Sequence, residues 1–226
     1  MYIRTDDHFL FVDHNETFHI KDEKDRAFTK TGLKVVFLFL LDEVWIQKTY
    51  RAIAKAAGVA LETIGYVING LKKRKYLVKK DEKNYQLVRK EELIDEWIAA
   101  YETELKPKLH KGNFAFIGEK QAVDWKDMAL DSQTVWGGEA GGELITGMLR
   151  PQILTLYTTH NKGSIMKEFR LKPDPNGEVQ AHEPFWNIED GQETAPPLVI
   201  YADLILTGDE RNFNIAEKLH AELLQD

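Results

Sequence analysis

The sequence predicts an α+β protein, with a winged helix-turn-helix domain followed by a mixed α+β domain. Three observations carry this expectation. A compact basic block sits inside an acidic chain, two short helical patterns separated by a glycine precede a pair of β-prone runs, and helix-like and strand-like runs mix later without a βαβ rhythm. The chain has 226 residues and a formal net charge of −7. Residues 1–44 hold 6 basic and 9 acidic side chains, residues 45–90 hold 12 and 3, and residues 91–226 hold 12 and 25. The three blocks thus stand at −3, +9 and −13. Clustered Lys and Arg are the electrostatic footprint of a polyanion-binding module, although charge alone fits a solvated helix face equally well.

Composition removes several chemistries. With no Cys there is no disulfide framework, thiolate zinc site or cysteine nucleophile, and a reducing cytoplasm is the expected compartment. The longest apolar run, Val35–Leu41, is bounded by Lys34 and Asp42 and is far shorter than the roughly 20 residues of a membrane span. The acidic start Met1–Asp7 lacks the pattern of a signal peptide.

In chain order, Phe9–Val12 and Thr17–Ile20 flank a turn-like Asp13–Glu16 and predict a hairpin. Lys34–Ile46 is apolar on nearly every side and predicts an enclosed helix. Thr49–Ala57 predicts a helix that Gly58 stops. From Leu61, the residues Leu61, Ile64, Val67, Ile68 and Leu71 define the apolar face of a second helix, which a helix-turn-helix uses for recognition. Tyr76–Val78 and Tyr85–Val88 around a charged turn predict the wing. Glu91–Leu109 reads as a charged amphipathic connecting helix ending near Pro107. Beyond it come strands at Phe114–Ile117, Ile153–Thr158 and Ile165–Leu171 and a helix at Gly138–Leu149. Pro196–Pro197 opens a further helix over Leu198–Leu206, and Asp209 caps a last one through Leu224.

These elements place the polar side of the Leu61–Lys73 helix toward a duplex. Thr63, Tyr66 and Asn69 are expected at base edges, and Lys72, Lys73, Lys80 and Lys83 at phosphates, with Arg51 and Lys55 adding to the basic face. Glu62 either accepts from a cytosine amino group or repels phosphate.

Trp136–Glu143 holds four glycines near a helix start, but no Gly-Lys-Ser/Thr follows, so sharp helix initiation and close packing explain it better than a phosphate loop. Asp203, Asp209, Glu139 and Glu143 are the carboxylates that would hold a divalent ion if the C-terminal half were a metal-dependent enzyme acting on nucleic acid or nucleotides. That enzyme is the rival reading, and a protein-interaction adaptor is a third; the leading expectation has no catalytic residue, metal or cofactor. The seven histidines show no two-His helix motif.

Taken in order, Tyr50–Ala54 with Ala57–Val59, Trp136–Glu139, Leu149–Thr158, Phe185–Trp186, and Pro197–Leu204 with Thr207–Asp209 and Arg211–Asn212 resemble the AbiEi family of type IV toxin–antitoxin antitoxins. The resemblance implies a bacterial repressor of its own operon that binds operator DNA; because one winged helix reads only a half-site, a homodimer is the expected form. It also implies a C-terminal domain that counters a nucleotidyltransferase-like toxin without a stable complex. Ala60 departs from the Ser or Thr cap common before a recognition helix. The expected organisation is an N-terminal hairpin segment at 1–30, read as the remnant of a missing domain. A winged helix domain at 31–90, a connecting helix at 91–110 and an antitoxin-type α+β domain at 111–226 follow it.

Overall fold

The computed structural model describes residues 2–5, 8–11, 26–82, 84–118 and 125–223. Strands β1 (Tyr2–Thr5) and β2 (His8–Phe11) pair antiparallel, with Tyr2 opposite Phe11. The run at Phe9 thus pairs with Tyr2–Thr5, a partner the sequence reading did not name, and Thr17–Ile20, the partner it did name, lies outside the described residues.

Helix α1 (Lys30–Leu41) starts where Thr29 Oγ1 accepts from the Gly32 amide at 3.3 Å. Gly32 is obligatory, because a Cβ there would come within 1.7 Å of the Arg26 carbonyl oxygen. The helix ends at Leu41 and does not run to Ile46. Asp42 turns extended and its Oδ1 accepts from Val44 N at 2.8 Å, starting a 3-10 turn over Glu43–Gln47. Helices α2 (Tyr50–Ala57) and α3 (Leu61–Lys73) follow, then the strand pair β3 (Leu77–Lys79) and β4 (Tyr85–Leu87). Helix α4 (Lys90–Ala100) continues through a π-helical turn at Tyr101–Leu105 into α5 (Lys106–Leu109).

The C-terminal half is built on a five-stranded sheet in the order β6-β7-β9-β5-β8: β6 (Thr134–Gly137), β7 (Leu154–Thr158), β9 (Val179–His182), β5 (His110–Phe116) and β8 (Leu171–Pro173). Only β7 and β9 run parallel within it. Helices α6 (Gly138–Thr146), α8 (Pro197–Ile205) and α9 (Glu210–Leu223) pack on one another beside it. The segment expected as a strand at Ile165–Leu171 is instead helix α7 (Lys162–Glu168) followed by β8. Asn161 decides it: its side-chain oxygen accepts from Ser164 N at 3.0 Å and caps the first turn.

Side chains alternate across the sheet as the pleat requires. Leu154 and Leu156 join one buried cluster with Phe114, Trp136 and Val179, whereas Tyr157 and Val135 join a larger one. That larger cluster is continuous. It takes in Phe37 of α1, Ile53, Ile64 and Leu71 of the helix-turn-helix, Trp97 and Tyr101 of the long helix, and Phe185, Leu198 and Leu219 of the C-terminal half. Phe37 meets Phe185 edge-on at 4.8 Å between ring centroids, Trp97 stacks on Tyr101 at 4.9 Å, and Trp97 Nε1 donates to the Leu33 carbonyl at 2.9 Å.

Candidate nucleic-acid interface

Thr49 caps α2 through its Oγ1, which accepts from Ala52 N at 3.3 Å. Gly58 ends the helix in the left-handed region at φ 61°, where it costs no Cβ clash, and Val59 N donates back to the Ala54 carbonyl. Ala60 precedes α3 without a side-chain cap, as its identity requires. The result is a tight α2–α3 turn with α3 carrying Lys72 and Lys73 in its last turn, where they complement the negative end of the helix dipole.

Ile64, Val67, Ile68 and Leu71 are buried as the spacing predicts, but both ends of the assignment need correction. Thr63, expected at a base edge, is only 4% exposed, because α3 buries a wider stripe that also takes in Gly70. Leu61, expected on the buried face, is 51% exposed at the first position of the helix. Tyr50 and Tyr66 are exposed too, and a Cβ on Gly65 would lie 3.9 Å from the Tyr50 ring. Periodicity along α3 placed Leu61 on the buried face, and Tyr50 of α2 was assigned no surface role.

The cations divide into two groups. Arg74 Nη1 binds Glu96 at 3.0 Å, and its guanidinium lies 4.8 Å above Phe28. Arg89 Nε donates to Glu92 at 2.8 Å and lies 5.0 Å over Tyr76, so both arginines are structural. Burial, helped by the hydrogen bond to Glu96, pushes the Tyr76 hydroxyl up to about 12. By contrast Arg51, Lys55, Lys73 and Lys80 are exposed and make no ion pair with a described residue, and Asn69 is exposed among them. Lys72 reaches across to the wing, its Nζ 3.9 Å from the Tyr85 ring centroid; its hydrogen bond holds the Tyr85 hydroxyl below the ordinary tyrosine value. Tyr66 lies under the Arg26 guanidinium at 4.5 Å. Lys83 lies outside the described residues.

The C-terminal carboxylates have other employment. Glu139 is buried; its Oε2 accepts from Gln152 N at 2.6 Å and its Oε1 from Asn212 Nδ2 at 3.1 Å. Glu143 accepts from Leu149 N at 2.7 Å and from Lys126 Nζ at 2.6 Å. Asp209 Oδ1 accepts from Arg211 N at the start of α9. Asp203 belongs to a different buried group: Oδ2 accepts from Tyr157 Oη at 2.9 Å and Oδ1 pairs with Lys106 Nζ at 2.9 Å, while Tyr101 Oη lies 2.8 Å from Tyr157 Oη. Burial, reinforced by the Asp203 charge, raises both phenols well above their ordinary value. The four carboxylates of the enzyme reading therefore do not form a common ligand set. Among the described residues the one carboxylate–imidazole group whose ligand atoms lie within 4.8 Å of one another is Asp131, His160 and Glu168. There His160 Nε2 sits 2.6 Å from Asp131 Oδ2, a hydrogen-bond contact.

Among the described residues no helix is long and apolar enough to cross a membrane. A family model described as transcriptional regulator, AbiEi antitoxin, type IV toxin–antitoxin system matches residues 86–225. The match begins inside β4 and covers the long helix and the entire sheet half, with α2 and α3 lying before it. No curated protein and no solved structure matches the chain.

Proposed function

Because the chain belongs to the AbiEi antitoxin family of type IV toxin–antitoxin transcriptional regulators, we propose that it is the repressor of its own operon and binds operator DNA through α3 and the β3–β4 wing. The observation that carries this reading is the set of cations Arg51, Lys55, Lys73 and Lys80, paired with no described carboxylate, around the exposed side of α3 in a chain otherwise acidic. Lys72, held against Tyr85, ties the helix to the wing so that both present to one duplex. Asn69 and Tyr66 supply direct contacts to base edges, and Leu61 and Tyr50 supply apolar surface at the helix start, where a thymine methyl is the matching group. Thr63 leaves this set because it is buried.

In the same reading the sheet half performs the antitoxin function against a nucleotidyltransferase-like toxin, without turnover of its own and without a stable toxin complex, in the cytoplasm. One winged helix reads a half-site, so a homodimer matches a palindromic operator.

The test is a gel shift of the full chain on its own upstream region at two salt concentrations. Four cations on phosphates give a log–log salt slope of about −4. A flat salt dependence, or equal affinity for upstream and scrambled duplexes, rejects the operator-binding reading. Metal-dependent turnover of nucleic acid or nucleotide would restore the enzyme reading.

A further inference from the structure

Behind the helix-turn-helix lies a cleft of about 520 Å³, between α1, the 3-10 turn and the end of α2 on one side and the segment from Phe185 to Pro197 on the other. Phe37, Trp45, Phe185 and Trp186 give it aromatic walls, and Ala57 of α2 forms part of its lining. The volume is that of a small-molecule site, and the place, between two parts of a fold, is where such sites concentrate.

One cation, Lys34, lines this cleft, to which the facing segment also contributes Asn187, Glu189 and Gln192. Lys34 is half-buried and pairs with no carboxylate of the described residues. Burial and the neighbouring Lys30 hold its ammonium below the ordinary lysine value, with no anion among the described residues to offset them. Glu189, exposed on the facing segment, lines the same cleft without pairing to it. A cation removed from water and left unpaired is destabilising, and an anion delivered on an apolar body relieves that cost while covering the aromatic wall. Phe37, Phe185 and Trp186 already meet one another edge-on or tilted, at 4.8 to 6.3 Å between centroids, so a further ring is accommodated by the same offset geometry.

We propose that this cleft binds a small aromatic carboxylic acid, its carboxylate on Lys34 and its ring against the half-buried Trp45 and Trp186, with the buried Phe37 and Phe185 completing the lining. The ligand would bear on α2, the first helix of the DNA-reading pair.

The experiment is calorimetric titration of the full chain with naphthalene-2-carboxylate and, separately, its neutral amide. The acid is expected to bind saturably and at least about tenfold more tightly than the amide. Raising salt from about 50 to 500 mM weakens the acid and spares the amide. Lys34→Met brings the acid to the level of the amide, and Lys34→Arg keeps most of the preference. No saturable binding at millimolar acid, equal affinities for acid and amide, or acid binding that survives Lys34→Met overturns the proposal. So does a cleft closed by a second copy, seen as a dimer in sedimentation that Trp45→Ala dissociates and that excludes the acid. The salt comparison needs no variant, so it decides the matter even if Lys34→Met fails to fold. No DNA enters the titration, so its outcome and that of the gel shift fail independently.

Discussion

Asn69 stands exposed on α3 with an amide that offers a donor and an acceptor together, the pattern adenine matches in the major groove. Asn69→Ala is expected to cost about 1–3 kcal/mol on the cognate duplex and little on random DNA, whereas Lys73→Ala weakens both and lowers the salt slope by about 1, as competition gel shifts will read. In the other half, Glu139 holds the Gln152 amide and the Asn212 side chain in a buried site. Glu139→Gln turns one acceptor into a donor facing a donor, and a loss of about 1–3 kcal/mol in urea unfolding is expected. His182, 3% exposed, has both ring nitrogens without a hydrogen-bond partner among the described residues. Burial, with smaller contributions from Lys106 and His110 against that of Asp203, brings its pKa down to about 4. Between about 6.5 and 4 the unfolded chain therefore binds the extra proton and the folded chain does not. Stability falls as pH drops through that window, by up to about 3 kcal/mol at the acid end. Urea midpoints at a series of pH values check this, and His182→Phe is expected to flatten the profile.

Two of the capping residues were legible in the sequence, and each set one helix boundary; the Thr29 and Asn161 caps were not read. Gly58 stops α2 and Asp209 starts α9 as their chemistry dictates. The strand expected at Ile165–Leu171 shows where that legibility ends, because a short apolar run satisfies helix and strand periods alike. The Asn161 cap and the burial of Ile165 and Phe169 four residues apart then favour the helix. Leu61 and Thr63 were placed on the wrong sides because a face drawn from spacing has no knowledge of where the neighbouring helices end. Neither β6 nor β9 was foreseen, and the Glu139 site draws its partners from residues 13 and 73 positions away. The link from α3 to the wing carries local strain that sequence alone does not display: Lys75 sits at φ 61°. Glycine is the residue suited to that conformation, so Lys75→Gly is expected to stabilise the fold by about 0.5–1 kcal/mol, measured as a raised thermal midpoint.

The charge pattern divides the chain at about residue 90, but the larger apolar core crosses that point without a break. Full-length protein is therefore expected to unfold in one transition, with tryptophan fluorescence and far-UV dichroism coincident. A fragment starting at Glu91 would expose Trp97 and Phe185, which in the whole chain lie against Phe37. Functional separation is then better tested on the surface than by truncation. Lys72→Glu with Lys73→Glu is expected to abolish repression while the protein still relieves growth inhibition at matched toxin levels. Failure to protect cells, with the fold intact, would mean that protection runs through DNA binding. The Phe37–Phe185 contact also sets a clock on synthesis. The two rings are 148 positions apart, and at roughly 5–20 residues per second the ribosome delivers the second about 7–30 s after the first. For that interval the nascent helix-turn-helix waits with one flank of its core uncovered, so this half acquires its final packing only once most of the remaining chain has been made.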